Sequence, residues 1–379
     1  MLEIADQGVV ASSVPNTAHQ SRCFPSVCVL HDGTWLCSFR SGPLKTGSAG
    51  QPMLTRSTDD GRTWSPPTAP FVAPSLEGTS KVPGVLHSAA LTPLADGRLI
   101  AVVSWVDCSD PSLPWYNPET EGLLDTRIML SGSDDGGRTW SKLQWVDIGR
   151  FATTPAPLTG PMLVMPDGRW ACPFETNKTY EDTGPWKQSA VMTFSADQGG
   201  TWPDQVVVLQ DPDHRVYYWD HRPRVLPDGT VLVLFWVYDH QSASYRNIHA
   251  VRSTDSGRTW SPPWDTGIPG QPGPAAPLPD GRLVMVHVDR TGPCTISACI
   301  SDDGGLTWPD ATWLILYEPT SYADNINSQS DTSEAWAHMD AFAFGLPDTA
   351  VTGDGDVLVV HYAGPHADQT DIRWVRLRV

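Results

Sequence analysis

Several side chains that could bind and cleave a sugar occur at one recurring place in this sequence, roughly eight to ten residues before an Asp-Gly dipeptide. They are Arg22, His87, Trp219 with Asp220, and Gln271. Charged groups and amides bond hydroxyl groups, indoles stack on the faces of sugar rings, and a carboxylate or an imidazole moves a proton. A fold that gathers these positions would therefore build a carbohydrate site.

Neighbouring segments add further candidates of the same chemical types. The side chains predicted to be catalytic, because they can carry a proton, are Asp220, His338, Asp340 and His87. The side chains predicted to bind substrate are Arg22, Arg222, Glu175, Gln271, Arg290, Trp219 and Trp336.

Each candidate also has a purely structural interpretation. Arg22 could pair with an acidic neighbour, and His87 could be a satisfied buried histidine. Asp220 could bridge His221 or Arg222, and the indoles could be packing residues.

The elements that must position these residues are marked by the Asp-Gly dipeptide itself. It recurs at 32–33, 96–97, 167–168, 228–229, 280–281 and 354–355. Short apolar runs flank it, and Asp-Gly between alternating hydrophobic residues is a strong hairpin signal. With a second hairpin in each unit, the pattern predicts an all-β fold, a six-bladed β-propeller with four-stranded antiparallel blades. We expect residues 1–379 to form a single propeller domain.

The second turn of five units is an eight-residue repeat, Ser-x-Asp-x-Gly-x-Thr-Trp. Its copies span 57–64, 133–140, 195–202, 253–260 and 301–308. The aspartate can accept hydrogen bonds from nearby backbone N–H groups, the glycine permits a positive φ, and the tryptophan supplies an apolar plate to pack between sheets. Five copies of the same acid are typical of a structural role rather than of catalysis.

The two ends of the chain are expected to meet. The sixth unit lacks the repeat and stops one strand short, while the N-terminal LEIADQGVVA has strand character but no blade of its own. We therefore expect the N-terminal strand to close the last blade and remove an open edge. Both kinds of turn then fall on one face, and two long loops, at about 106–127 and about 318–345, fall on the other. Long loops in compact domains are usually functional.

The eight-residue repeat is identified as the Asp-box of the sialidase superfamily, and this resemblance covers most of the chain. In that family an Arg-Ile-Pro motif opens the first blade, and its arginine binds the sialate carboxylate. Residues 22–25, Arg-Cys-Phe-Pro, resemble this motif with one extra residue. Asp220 stands where the family has a glutamate that assists the nucleophile, and Arg290 loosely resembles the third arginine of the family's triad. The resemblance implies a propeller that acts on carbohydrate.

The sialidase catalytic set is largely unmatched. The family's acid/base aspartate lies between the second strand of the first blade and its Asp-box, and the corresponding stretch here, SGPLKTGSAGQP, contains no acid. Phe344, Gly345 and Leu346 occupy the place of the nucleophilic tyrosine, and Tyr362 is expected to lie too late in the chain. A further family arginine falls near Trp236, where there is none. The resemblance thus implies the fold but not the sialic-acid mechanism.

We expect a sialidase-like glycoside hydrolase that acts on a non-sialate or modified sugar, anionic sugars included. Its reaction would use carboxylates such as Asp220, Glu175 or Asp340. An oligosaccharide or glycoside is the expected partner.

Three alternatives remain open on the sequence alone. A polysaccharide lyase would use His87 or His338 as its base and Arg22 to neutralise a uronate carboxylate. A non-catalytic glycan-binding propeller and a sialidase that works by an unusual route are the others.

Charge and composition exclude some partners. With 25 basic and 43 acidic residues the chain has a net charge of −18, which repels phosphate backbones and anionic membrane surfaces, so we expect neither nucleic acid nor a membrane as partner. The sequence contains no stretch of 18 apolar residues, so no transmembrane helix is predicted. No Cys/His spacing predicts zinc or another metal, and no cofactor is expected.

The N-terminus and the cysteines indicate a cytoplasmic protein. MLEIADQGVV lacks the basic and apolar regions of a signal peptide, and the seven cysteines are an odd number. Cys28 and Cys37 are expected to face each other, as reduced thiols, if Asp32-Gly33 centres a two-residue hairpin.

Overall fold

The computed structural model describes residues 2–74, 84–319 and 332–379, without the side chains of 332, 333 and 336–338. These residues form twenty-five strands, one α-helix, α1 (Thr332–Ala341), and two short 3-10 helices (Gly149–Phe151 and Asp310–Thr312). The strands in chain order are β1 (Glu3–Ala11), β2 (Ser21–Val29), β3 (Trp35–Gly42), β4 (Gln51–Ser57), β5 (Val85–Pro93), β6 (Leu99–Val106), β7 (Thr126–Ser133), β8 (Gln144–Trp145), β9 (Leu163–Val164), β10 (Trp170–Glu175), β11 (Ala190–Ser195), β12 (Asp204–Leu209), β13 (Val216–Val225), β14 (Val231–Asp239), β15 (Ser244–Tyr245), β16 (Asn247–Ser253), β17 (Trp264–Pro269), β18 (Gln271–Pro272), β19 (Ala276–Pro277), β20 (Leu283–Asp289), β21 (Thr295–Ser301), β22 (Leu314–Tyr317), β23 (Phe344–Val351), β24 (Val357–His366) and β25 (Gln369–Arg378).

The strands pair into six antiparallel sheets, which are the six predicted blades. From the channel outward, the sheets are β2-β3-β4, β5-β6-β7-β8, β9-β10-β11-β12, β13-β14-β16-β17 with β15 on β14, β18 and β19 on β20-β21-β22, and β23-β24-β25-β1. In the first blade a backbone bridge between Leu54 and Thr68 takes the place of an outer strand. The prediction of a six-bladed propeller is confirmed.

The N-terminal strand closes the ring, as predicted. β1 pairs antiparallel with β25, from Glu3 opposite Arg378 to Ala11 opposite Ile372. The outer edge of the last blade is thereby formed by the other end of the chain, so the first and last segments hold each other.

The inner strands of neighbouring blades are joined by hydrogen bonds all the way round the channel. The six links run from Leu91 N to Ser26 Oγ, from Thr92 Oγ1 to the Met162 carbonyl, between Thr159 Oγ1 and His221 Nδ1, from Arg224 Nε to the Ala275 carbonyl, from Thr349 Oγ1 to the Pro274 carbonyl, and from Val27 N to Asp348 Oδ2. This ring of links fixes the blades relative to one another and therefore fixes the side chains at the channel mouth.

The core is divided among the blade interfaces. Six clusters of buried apolar side chains each lie between two neighbouring blades. The tryptophan of each Asp-box packs against one of these clusters, as predicted; the five are Trp64, Trp140, Trp202, Trp260 and Trp308. A seventh cluster, rich in aromatic rings, lies beneath α1.

The Asp-box turns have the predicted structural role, and their serines and threonines share it. In the second blade Asp135 Oδ1 accepts from Thr139 N at 2.9 Å and Oδ2 accepts from Thr139 Oγ1 at 2.6 Å. Buried Ser133 donates to Asp135 at 2.9 Å and accepts from Gly137 N at 2.9 Å. These hydrogen bonds lower the pKa of Asp135 and keep it ionised within the turn.

The Asp-Gly hairpins differ by one residue from the two-residue turn on which the cysteine prediction depended. Leu30 and Thr34 close the first turn, Gly33 has φ +84°, and three residues lie between the closing pair. Cys28 therefore pairs with Leu36, and Cys37 pairs with Val27. Because a one-residue offset moves a side chain to the other face of a sheet, the prediction that Cys28 and Cys37 face each other is wrong. All seven cysteines are buried free thiols.

The second long loop contains a helix that the sequence did not predict. α1 lies between β22 and β23, and its C-terminal part reaches the channel mouth. Neither α1 nor any other described helix is both long and apolar enough to cross a membrane.

Candidate active site at the mouth of the central channel

A cavity of about 230 Å³ lies at one end of the central channel. Its walls include the inner strands of five blades, residues 157–161 before β9 in the third blade, the loops after β3 and β6, and α1. These loops lie on the face opposite the Asp-Gly and Asp-box turns. The cavity therefore lies on the face where the chain varies most in loop length.

A β-bulge interrupts the inner strand of four blades at the level of this cavity. The register shifts lie between Cys23 and Ser26, Leu86 and Ala89, Trp219 and Arg222, and Gly345 and Asp348. The bulged residues that line the cavity include Phe24, His87, Asp220 and Leu346. Phe24, Asp220 and Leu346 have φ of +53°, +48° and +46°, a conformation unfavourable for residues with a side chain. Bulges redirect side chains, and these four direct theirs into one space.

Glu175 is the buried acid of the site. It is the last residue of β10 and is 6% exposed. Its Oε1 atom has no hydrogen-bond partner in the described part of the chain. Burial, and next the charge on Asp220, raise the pKa of Glu175 well above 4.5, while backbone hydrogen bonds from Asp220 and His221 and the charge of Arg222 act the other way. The carboxyl is therefore disposed to hold a proton near neutral pH.

Asp220 is the more exposed carboxylate of the pair and is held on two sides. Gln271 donates through Nε2 to Asp220 Oδ2, and Arg222 Nη2 lies 3.4 Å from Oδ1. Gln271 in turn accepts at Oε1 from Arg290 Nη1 at 2.9 Å. This chain of contacts fixes the amide orientation of Gln271 and holds the negative charge at one place in the cavity.

Lys45 enters the cavity from the loop after β3, the stretch in which no acid was found. Its ammonium donates to the carbonyls of Met339 and, at 3.1 Å, of Phe342, at the C-terminal end of α1. A cation at a helix C-terminus is electrostatically favoured. Asp340 lines the same wall, and desolvation raises its pKa despite the opposing charge of Lys45.

Aromatic rings cover the side of the cavity formed by the first two blades. The His87 ring lies 4.6 Å from Phe24 and 4.7 Å from Trp115, measured between centroids. Burial lowers the pKa of His87 well below 6.5, so this ring is neutral. Trp219 also lines the cavity, but it is 3% exposed and stacks on Tyr238 at 5.0 Å.

Most of the site residues predicted from the sequence line this one cavity. They are Asp220, Asp340, His87, Arg222, Glu175, Gln271, Arg290 and Trp219. Trp336 and His338 lie on α1, but their side chains are outside the described part of the structure, so their predicted roles stay predictions.

Arg22 is placed elsewhere. It does not line the cavity; it is 9% exposed and its guanidinium lies over the ring of Phe39, 5.5 Å from the centroid. Arg22 lies before the bulge between Cys23 and Ser26, and it is the bulged residue Phe24 that lines the cavity. The inference that Arg22 touches a substrate therefore has no support in the geometry.

Three residues at the cavity were missed by sequence reasoning. Lys45 and Trp115 lie on loops of irregular length, where no repeat fixes their position. Tyr362, expected to lie too late in the chain, lines the cavity because β23 and β24 pair antiparallel and set it opposite Gly345. That expectation is wrong, and the hairpin spacing could have shown it.

The comparisons with known proteins agree with this architecture. The family model described as BNR repeat-like domain matches residues 112–359. The chain belongs to this BNR repeat-like family. No curated protein matches the sequence significantly.

Solved structures share the propeller over nearly the whole chain. A protein of unknown function from Dyadobacter fermentans aligns with a TM-score of 0.77 at 19% identity, covering 100% of this chain and 99% of its own. A Hadza microbial sialidase aligns with a TM-score of 0.65 at 17% identity, and the alignment covers 98% of this chain and 68% of the sialidase chain. The α-L-arabinanase of Penicillium chrysogenum, solved with arabinobiose, aligns with a TM-score of 0.64 at 15% identity. This alignment covers 100% of this chain and 98% of the arabinanase chain. At such identities the likeness shows the fold, and it confirms the resemblance to the sialidase superfamily at that level.

Proposed function

We propose that this BNR repeat-like protein is a glycoside hydrolase that uses Glu175 as general acid and Asp220 as its carboxylate partner. The observation that carries the proposal is that both carboxyl groups line one cavity, where burial and the charge on Asp220 raise the pKa of Glu175. Two carboxyl groups whose environments separate their protonation states are the recurring requirement of glycosidic bond cleavage.

The roles follow from the two environments. Glu175 donates its proton to the oxygen that leaves the sugar. Asp220 either bonds to the anomeric carbon or takes a proton from the water that attacks it. Gln271 and Arg222 contact the Asp220 carboxylate and fix its position in either case. The net reaction adds one water across the glycosidic bond.

The fold neighbours are compatible with this chemistry. The sialidase and the arabinanase that share the propeller are both named for cleaving glycosidic bonds. They support the reaction class proposed here, and the substrate is argued separately from the cavity itself.

The lyase alternative has less support. A lyase needs a base that accepts a proton near neutral pH, and the burial that lowers the pKa of His87 makes it a weak base. The side chain of His338, the other expected base, lies outside the described part of the structure. The other expected lyase residue, Arg22, lies outside the cavity.

Product analysis tests the reaction class. The purified protein is incubated with a panel of oligosaccharides and synthetic glycosides, with the Asp220→Asn variant as control. A hydrolase releases new reducing ends without ultraviolet absorption, whereas a lyase leaves an unsaturated, absorbing sugar. Unsaturated product, or equal release by the Asp220→Asn variant, would contradict the proposal.

A further inference from the structure

Among the described residues that line the cavity, the cationic side chains Lys45, Arg222 and Arg290 each contact protein oxygen atoms, and this bears on the substrate. We infer that the sugar bound beside Glu175 and Asp220 is uncharged, with neither a sialate nor a uronate carboxylate. This inference rests on the proposed function and narrows its substrate class.

The two arginines of the cavity have both ends of their guanidinium groups engaged. Arg222 donates through Nη1 to the Thr159 carbonyl and through Nη2 faces Asp220. Arg290 donates through Nη1 to Gln271 and through Nη2 to the Phe344 carbonyl at 2.6 Å. Recognition of a carboxylate by arginine normally uses two parallel N–H groups, and in both residues the Nη1 and Nη2 groups already face protein oxygen atoms.

The faces of the Arg290 guanidinium are also covered. The ring centroid of Phe342 lies 3.9 Å from its central carbon and that of Phe344 lies 5.2 Å away. Such stacking fixes the plane of the guanidinium, so Arg290 cannot turn towards a ligand without leaving both rings. Its role in the structure is to hold Gln271 and the start of β23.

Lys45 is engaged in the same way. Its ammonium donates to the carbonyls of Met339 and Phe342 and lies 5.3 Å from the ring centroid of Tyr362. Two of the three N–H groups of this ammonium are used to hold the end of α1. Lys45 therefore holds the C-terminal end of α1 in place as one wall of the cavity.

The acids at the cavity add negative charge that an anionic sugar would have to face. Asp220, Asp340 and Asp348 all line it. Asp348 is committed to backbone N–H groups, those of Val27 at 2.9 Å and Thr349 at 2.8 Å. With Lys45, Arg222 and Arg290 each in contact with protein oxygen atoms and a chain charge of −18, the electrostatic field disfavours binding of a ligand carboxylate.

The opposite wall suits an uncharged ring. Phe24, His87 and Trp115 present a group of mutually tilted rings in contact, and the lowered pKa of His87 leaves these rings without charge. Aromatic faces bind the C–H faces of sugars, and hydroxyl groups would reach the polar wall of Asp220 and Gln271. The cavity thus pairs one aromatic side with one polar, charge-balanced side.

Binding of matched sugars tests the inference. The slow Glu175→Gln variant is titrated by calorimetry with methyl glycosides that differ only at C6, a hydroxymethyl group in one and a carboxylate in the other, and with N-acetylneuraminic acid. We expect the neutral members to include the tightest ligand and its carboxylate counterpart to bind at least about tenfold more weakly. We also expect Kd of the neutral ligand to change less than about twofold between low and physiological salt, because no ion pair is screened.

The outcomes separate this inference from the proposed function. Equal or tighter binding of a uronate or sialate, or failure of every neutral sugar to bind, overturns the inference. A neutral sugar that binds the variant but is not cleaved by the wild-type protein overturns the proposed function alone. Cleavage of a uronide into saturated products overturns the inference alone.

Discussion

Glu175 and Asp220 share one cavity, and the charge on Asp220 adds to burial in raising the pKa of Glu175. The two residues come from neighbouring blades, at the end of β10 and in the bulge of β13. The raised pKa disposes the Glu175 carboxyl to donate a proton near neutral pH, while Gln271 and Arg222 contact the Asp220 carboxylate.

The activity is expected to have an alkaline limb that belongs to Glu175. A general acid must be protonated, so kcat falls as pH rises through the raised pKa of Glu175, well above 4.5. In the Glu175→Gln variant the residual rate should lose this limb. A pH–rate profile of both proteins on one substrate checks this, and an unchanged limb in the variant would assign the titration to another group.

The same substitution is expected to stabilise the protein at high pH. Because the folded chain holds the Glu175 proton more tightly than the unfolded chain, wild-type stability is lost as pH rises from about 4.5 through the raised pKa. The Glu175→Gln variant escapes that loss, so its Tm should exceed the wild-type Tm at pH 8 and approach it at pH 4.5. A variant Tm below the wild-type Tm at both pH 4.5 and pH 8 would show that the folded protein accommodates the ionised Glu175 carboxylate well.

Tyr362 is expected to be dispensable for the reaction. Its hydroxyl donates to the Phe342 carbonyl at 3.3 Å, and the two-carboxylate mechanism gives it no covalent role. The Tyr362→Phe variant should keep kcat within about threefold of the wild type. A loss of about a thousandfold or more, with an unchanged Tm, would instead indicate a tyrosine nucleophile.

The buried serine of an Asp-box is expected to support stability and not turnover. Ser133→Ala leaves the Gly137 N–H without its acceptor and should lower the free energy of unfolding by about 1–3 kcal/mol. Asp135→Ala should destabilise in the same direction, and Asp134→Ala, an exposed position in the same turn, is the matched control. Urea unfolding and kcat per folded molecule are measured together; a folded but inactive variant would give the box a catalytic role.

Loss of the N-terminal strand is expected to open the ring. Deleting residues 1–12 removes β1 and leaves β25 as an unpaired edge, so the truncated protein should aggregate or melt far below the parent. Gln7→Ser, an exposed change within β1, is the control. Equal melting curves and a monodisperse profile for the deletion would show that β1 is unnecessary.

The repeats explain why the fold was predictable. Asp-Gly and the Asp-box fix turns through local hydrogen bonds, and each copy indicates one blade in the sequence, whatever the neighbouring copies are. The register of a single hairpin was not predictable in the same way. One extra residue in the turn at 31–33 moved Cys28 and Cys37 to different faces.

Site residues were predictable only where they lie at a fixed distance from a repeated turn. Asp220, His87 and Gln271 follow from their distance to an Asp-Gly turn, and all line the cavity. Lys45, Trp115 and α1 lie on loops that no repeat constrains, and the bulges at Phe24 and Asp220 depend on pairing across the blade. The raised pKa of Glu175 depends on burial between blades, which local sequence does not express.

The most direct test of the two-carboxylate mechanism compares two leaving groups on one sugar. A glycosyl fluoride needs no proton from the enzyme, whereas the corresponding disaccharide does, so kcat/KM is measured on both for Glu175→Gln, Asp220→Asn and the exposed control Glu181→Gln. We predict that Glu175→Gln loses about a hundredfold or more on the disaccharide but keeps near wild-type rates on the fluoride. Asp220→Asn should lose both, and Glu181→Gln neither. Equal losses on both substrates for Glu175→Gln, or full activity in Asp220→Asn, would contradict the assignment.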